Sequence, residues 1–72
     1  MIPVEIRWNH RRNINGLIWD GEIHTLPLID HFISIEDDGI TKRYIVVDVE
    51  HQLKHVALHE EQNVYIFVKS HP

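Results

Sequence analysis

Phe32-Ile-Ser-Ile-Glu-Asp-Asp-Gly-Ile-Thr-Lys-Arg-Tyr-Ile-Val-Val-Asp-Val-Glu-His51 is the stretch that decides the architecture of this chain. Two runs rich in β-branched residues flank Asp37-Asp38-Gly39, a turn signal that predicts a β-hairpin. The second run changes phase within itself. Tyr44 and Val46 share one side of an extended strand, whereas Val49 and His51 fall on the opposite parity. One extra residue near Val47-Asp48 brings all four to one face, because a β-bulge shifts the side-chain alternation by one and bends the strand. A long, bent strand is the part that a small closed barrel requires.

The flanking sequence agrees. Ile2, Val4, Ile6 and Trp8 alternate with Pro3, Glu5 and Arg7, the period-two pattern of a half-buried strand. Pro3 cannot donate to a ladder, so this strand starts at an edge or at its open end. Residues 9–13 are polar and read as a loop. Apolar residues resume from Ile14 to His24, and Asp20-Gly21 suits either a hairpin turn or a tightly curved strand. Leu26-Pro27-Leu28 ends that segment. Val64-Tyr65-Ile66-Phe67-Val68 reads as a closing strand with two apolar faces, so the preceding segment or another subunit has to cover one of them. Residues 52–63 have an ambiguous period. Leu53, Val56, Ala57 and Glu60 follow helical spacing, which favours a short helical turn near residues 53–60, with continued strand as the alternative.

Seventy-two residues make one domain, 1–72, near the lower limit for folding without a staple. The absence of cysteine excludes disulfides and thiolate metal sites, and it is compatible with the cytoplasm. The first residues lack the basic start and apolar block of a signal peptide, and no apolar run reaches the ~20 residues of a membrane helix. A cytoplasmic chain with no membrane partner is expected. Eleven acids against seven Lys plus Arg give a net charge of −4, which argues against a general polyanion binder. Seven histidines qualify that, since protonation of all of them reverses the sign of the net charge.

Chemistry-bearing patterns are sparse. His51, His55 and His59 are spaced i, i+4 and i+8, which on a helix lines up one face for a divalent metal, with Glu60 or Glu61 to complete the set. Catalysis is not expected, and neither is a resident cofactor. Ser34 and Ser70 lack a nucleophile-elbow context, Asp37-Asp38 is explained by its turn, and no glycine-rich phosphate loop is present. Arg11-Arg12 and Lys42-Arg43 are local basic spots, with Trp8, Trp19, Phe32 and Tyr44 as potential stacking platforms for nucleic acid. Burial in the core is the commoner fate of such aromatics.

Two resemblances add to this. Leu26-Pro27, Asp30-His-Phe-Ile-Ser-Ile35, Arg43-Tyr-Ile-Val-Val-Asp-Val-Glu-His51 and residues 64–68 together resemble a group of short, mostly uncharacterised bacterial and mobile-element proteins with an SH3-like barrel. Tyr44, Val46, Val49 and His51 match their Tyr-x-Val-x-x-Val-x-His strand. That resemblance implies a fold and no reaction. Val4-Glu-Ile6, Asn15-Gly-Leu-Ile-Trp-Asp-Gly-Glu-Ile23 and Asp30-His-Phe-Ile-Ser-Ile35 resemble the first Sm motif of bacterial Sm-like RNA chaperones, and Leu53-Lys54-His55 is similar to the Tyr-Lys-His signature of the second. This second resemblance implies a ring that binds uridine-rich RNA. It also implies that His31 takes the place of the family's glutamine, that Phe32 stacks a base, and that Lys54 and His55 reach the same pore from the neighbouring subunit. The family's N-terminal helix and the tyrosine before Lys-His are missing, and Phe32 and Lys54 lie further apart than its pattern has them.

The expected molecule is thus an all-β, five-stranded, strongly bent SH3-like or Sm-like barrel. Its expected role is a non-catalytic binding or assembly module. The partners are copies of itself or another protein, met through Val64, Tyr65, Ile66, Phe67 and Val68. Binding of uridine-rich RNA and divalent-metal binding are the alternatives.

Overall fold

A computed structural model describes the backbone of residues 1–9, 16–56 and 59–71, and their side chains except at 54–56 and 59–61. Five strands follow in order: β1 (Ile2–Trp8), β2 (Leu17–Ile23), β3 (Phe32–Asp37), β4 (Ile40–Val56) and β5 (His59–Ser70). They form one strongly curled sheet in the order β2-β1-β5-β4-β3, a half-barrel with no helix among the described residues. None of these has a helix long and apolar enough to cross a membrane. Adjacent strands run antiparallel except β1 and β5, which pair in parallel from Glu5↔Tyr65 to Trp8↔Val68. Pro3 lies on β1 before that parallel ladder begins, so its missing N–H breaks no pairing with β5.

The hairpin signal is realised as read. Asp37 pairs with Ile40, and Asp38 and Gly39 both have positive φ, 51° and 77°. Two such residues make the type I′ turn whose twist matches that of the strands it joins. The phase change is realised too. Val46 pairs with Val68 and Asp48 with Phe67, leaving Val47 as the extra residue of a bulge. Tyr44, Val46, Val49 and His51 therefore share one face of β4. The Asp48 carboxylate accepts a hydrogen bond from the Val49 N–H at 2.9 Å, which occupies one donor of the irregular backbone. A second irregularity lies on β2, where Ile6 faces Trp19 and Arg7 faces Leu17, so Ile18 is the extra residue. Asp20-Gly21 proves to be the interior of a curved strand and not a turn. Gly21 lies beneath the Trp19 indole, and a Cβ there would stand 2.6 Å from Trp19 Cη2.

The concave face holds the core: Val4 and Ile6 from β1, Tyr44 and Val46 from β4, and Val64, Ile66 and Val68 from β5. Ile2, Trp8, Ile18, Trp19, Ile23, Leu26, Ile33, Ile35 and Val49 pack around it, half-buried. Trp8 meets Tyr44 edge to face, with ring centroids 5.5 Å apart.

The expected helical turn is corrected. β4 continues to Val56 and β5 begins at His59, in register from His51↔Val64 to Val56↔His59. Residues 57 and 58 lie outside the described residues. The helical spacing of Leu53, Val56 and Glu60 yields to strand pairing, because β5 is already locked to β4 in the core and extends the same ladder outward. The result is an arm, residues 52–56 paired with 59–63, running about 16 Å beyond the core residue Val64 at ~3.3 Å per residue. The molecule measures 44 × 24 × 22 Å, with a radius of gyration of 13.0 Å. A compact chain of this length has about 11 Å. The excess is the arm.

Candidate functional site

Closure of the barrel needs β2 to meet β3, and it does not happen. Among the described residues each of these strands is hydrogen-bonded along one edge only, β2 to β1 and β3 to β4. Every Cα of β2 is more than 8 Å from every Cα of β3. Paired strands sit at about 4.8 Å, so the two edges are too far apart to bond each other. Between the two edges runs a groove of about 450 Å³. Ile6, Trp19, Ile23, Ile33 and Ile35 form its apolar floor, and Glu22, His24, Ser34 and Glu36 stand at its mouth. Beyond one end of this seam, Ile18 and Ile35 meet Asp37, Asp38, Ile40, Lys42 and Tyr44 around a second depression. The Trp19 ring spans much of the floor, and it can lie flat there only because residue 21 has no side chain.

The arm is the second unusual surface. Among the described residues its strands pair only with each other. Leu53 is 74% exposed on it, the most exposed of the large apolar side chains described. Two side-chain bridges tie the arm across: the Tyr65 hydroxyl donates to Gln52 Oε1 at 3.0 Å, and Gln62 Nε2 lies 3.1 Å from His51 Nδ1. Both are exposed to water and contribute only fractions of a kcal/mol.

The five residues expected to meet a partner are placed differently. Val64, Ile66 and Val68 are core, and Phe67, on the opposite face, is only 3% exposed. Tyr65 is half-buried, 6.4 Å from the Phe67 ring and under the Arg7 guanidinium at 5.6 Å, and Arg7 in turn bonds Glu5 at 2.8 Å. Both apolar faces of this segment are thus covered within one chain. The expectation that another subunit covers them is corrected.

The residues tied to RNA binding are split. His31 and Phe32 open β3, with Phe32 paired to Ile45, while Lys54 and His55 belong to the arm. Eight or nine rises of strand separate Ile45 from them, about 25–30 Å, so one chain does not bring the two pairs together. Phe32 remains 50% exposed, and the Arg43 guanidinium (4.8 Å) and the His71 ring (4.7 Å) flank it. His71 had no sequence signal, because only the ladder places it beside Arg43, whose carbonyl accepts its N–H. Trp8, Trp19 and Tyr44 pack in or around the core, and Arg11 and Arg12 lie outside the described residues. For the metal set, the side chains of His55 and His59 also lie outside them. The backbone at 51, 55 and 59 is strand and not one helical face: 51 and 55 stand about 13 Å apart along β4, and 59 lies on β5 opposite Val56. Among the described residues no group of three His, Cys, Asp or Glu could hold a metal ion.

Nothing in the sequence marked the seam. Its floor residues read as ordinary inward positions of alternating strands. Comparison with known proteins finds no matching family model, no matching curated protein and no matching solved structure.

Proposed function

We propose that this protein is a non-catalytic binding and assembly module that works by strand addition, with copies of itself as its first partners. The observation that carries this reading is the seam: two unpaired sheet edges facing each other across an apolar groove. Unpaired edges present rows of N–H and C=O groups that bind extended chain through main-chain hydrogen bonds, while the groove selects side chains. Among the described residues the depressions are open, which suits a contact surface. The test is the solution mass of the untagged protein by light scattering across a wide concentration range. A multiple of 8.6 kDa is the expected result. A monomer throughout would remove self-association.

Phe32 supports a second reading. An aromatic ring half-open to solvent beside Arg43 and His71 suits a stacked base with its phosphate nearby. Fluorescence anisotropy with labelled oligouridine checks this. Under this reading binding weakens as salt rises and is lost on Phe32→Ala.

A further inference from the structure

We infer that a notch at the end of β5 binds the phosphate group of a ligand. It lies apart from the seam and does not depend on self-association. β5 ends at Ser70, opposite Tyr44, and beyond it the His71 N–H still donates to the Arg43 carbonyl at 3.0 Å. β4 begins earlier in the sheet, at Ile40, so Thr41 and Lys42 stand on an edge that β5 no longer covers. Ladder alternation turns the Thr41 N–H and C=O away from β3, to the same side as the Arg43 carbonyl. The step between the two strands opens into a depression of about 690 Å³, with Trp8 and Tyr44 as its aromatic wall.

The chemistry of the lining selects the ligand. Lys42 and Arg43 supply two fixed positive charges, His71 a third when protonated, and Thr41, Tyr44 and Ser70 supply hydroxyls. No carboxylate lines the notch among the described residues, although the chain as a whole has a net charge of −4. The acids nearest in the ladder are Glu36, opposite Thr41, and Asp37 and Asp38, which share a separate depression with Lys42. They offset part of the Lys42 charge, which leaves Arg43 as the main anchor. Its guanidinium lies over the Phe32 ring at 4.8 Å, a stacking that limits its freedom and keeps N–H groups for a ligand. His71 Nδ1 is buried without a hydrogen-bond partner among the described residues, so the polar groups of this corner are not all satisfied within the chain. A carboxylate ligand brings one charge and two oxygens. A phosphate brings up to two charges and three or more acceptor oxygens, which answers cations, hydroxyls and a main-chain N–H together.

The test is a titration of the untagged protein with inorganic pyrophosphate at low salt, followed by amide chemical shifts. Saturable shifts at residues 41–44 and 70–71 are expected. Arg43→Gln should weaken binding about tenfold or more, the loss of a charge-assisted hydrogen bond. Lys69→Gln removes a cation opposite Ile45, outside the notch, and should leave binding within about twofold. Circular dichroism checks each fold, and Lys42→Gln, at an exposed position, repeats the test if Arg43→Gln unfolds the chain. Absence of saturable shifts overturns the site. Equal losses at Arg43 and Lys69 overturn it too, since the anion then answers surface charge only. Oligouridine that displaces pyrophosphate places the phosphate on a nucleic acid chain and joins the notch to the Phe32 reading. Oligouridine that leaves pyrophosphate bound identifies a free phosphate compound as the ligand. A chain that is monomeric at every concentration removes the assembly reading and leaves the notch untouched.

Discussion

The two halves of the β4–β5 hairpin have the same partners and one continuous ladder, yet opposite physical states. On the body side of Val47, Tyr44 and Val46 face Ser70 and Val68 across the ladder, and Tyr44, Val46 and Val68 are all buried in the core. On the far side, from Gln52↔Asn63 outward, the strands leave the sheet, and Leu53 is 74% exposed. Backbone pairing is therefore not what distinguishes a stable region from a marginal one here. The body has neighbouring strands on either side and a concave face to fill, whereas the arm has only its own ladder. A ribbon of that kind is maintained by the body it grows from.

The sharpest way to break this contrast is to cut one apolar side chain on each side. Ile66→Ala removes a fully buried side chain and should cost about 2–5 kcal/mol, on the order of the whole stability of a domain this small. The mutant is expected to be largely unfolded by circular dichroism. Leu53→Ala, measured in dilute protein, should stay within about 0.5 kcal/mol of wild type in a urea melt. Equal losses at the two positions would mean that the arm is packed in the single chain.

Next in size is Gly21→Ala, which tests the seam against the core. The new Cβ would lie 2.6 Å from Trp19 Cη2, so the indole has to leave the floor or β2 has to shift. Overpacking of this kind costs about 1–3 kcal/mol. A change in tryptophan fluorescence together with a lower melting temperature is expected. If dimerisation also weakens, the flat indole is part of the receiving surface as well as of the fold.

Local features were legible in the sequence and non-local ones were not. Asp38-Gly39 specifies its turn through the φ values those two residues tolerate, and the parity change between Val46 and Val49 specifies a bulge whatever the partner strand is. The open seam depends on how far five strands curl before their edges meet, and no single segment encodes that. The arm was misread because Leu53, Val56 and Glu60 happen to fit a helical period. The pairing that overrides it begins at Val46↔Val68, in the core and well away in sequence. Phe67 was read as a surface needing a partner because alternation cannot say what covers the outer face of a strand. The same applies to His71, which comes beside Phe32 only through the register of β5 on β4.

A smaller effect is expected at the turn between β3 and β4. Gly39→Ala forces a side chain into φ 77° with open space around it, so the cost is purely conformational, about 1 kcal/mol. Chemical denaturation should show a lower midpoint with an unchanged slope, since the turn does not alter how much surface the fold buries.

The smallest change sharpens the boundary itself. Tyr65 pairs with Glu50 at the point where the arm leaves the body, and its hydroxyl reaches Gln52 across the ribbon. Tyr65→Phe keeps the ring against Phe67 and Arg7 and removes only that solvent-exposed hydrogen bond, a loss of about 0.5 kcal/mol or less. Global stability should hardly move. Amide hydrogen exchange should quicken at residues 51–53 and 62–63 while Val46, Ile66 and Val68 keep their protection, because arm and body open as separate units. If protection falls in both regions together, the hairpin opens as one piece and Glu50↔Tyr65 does not divide it.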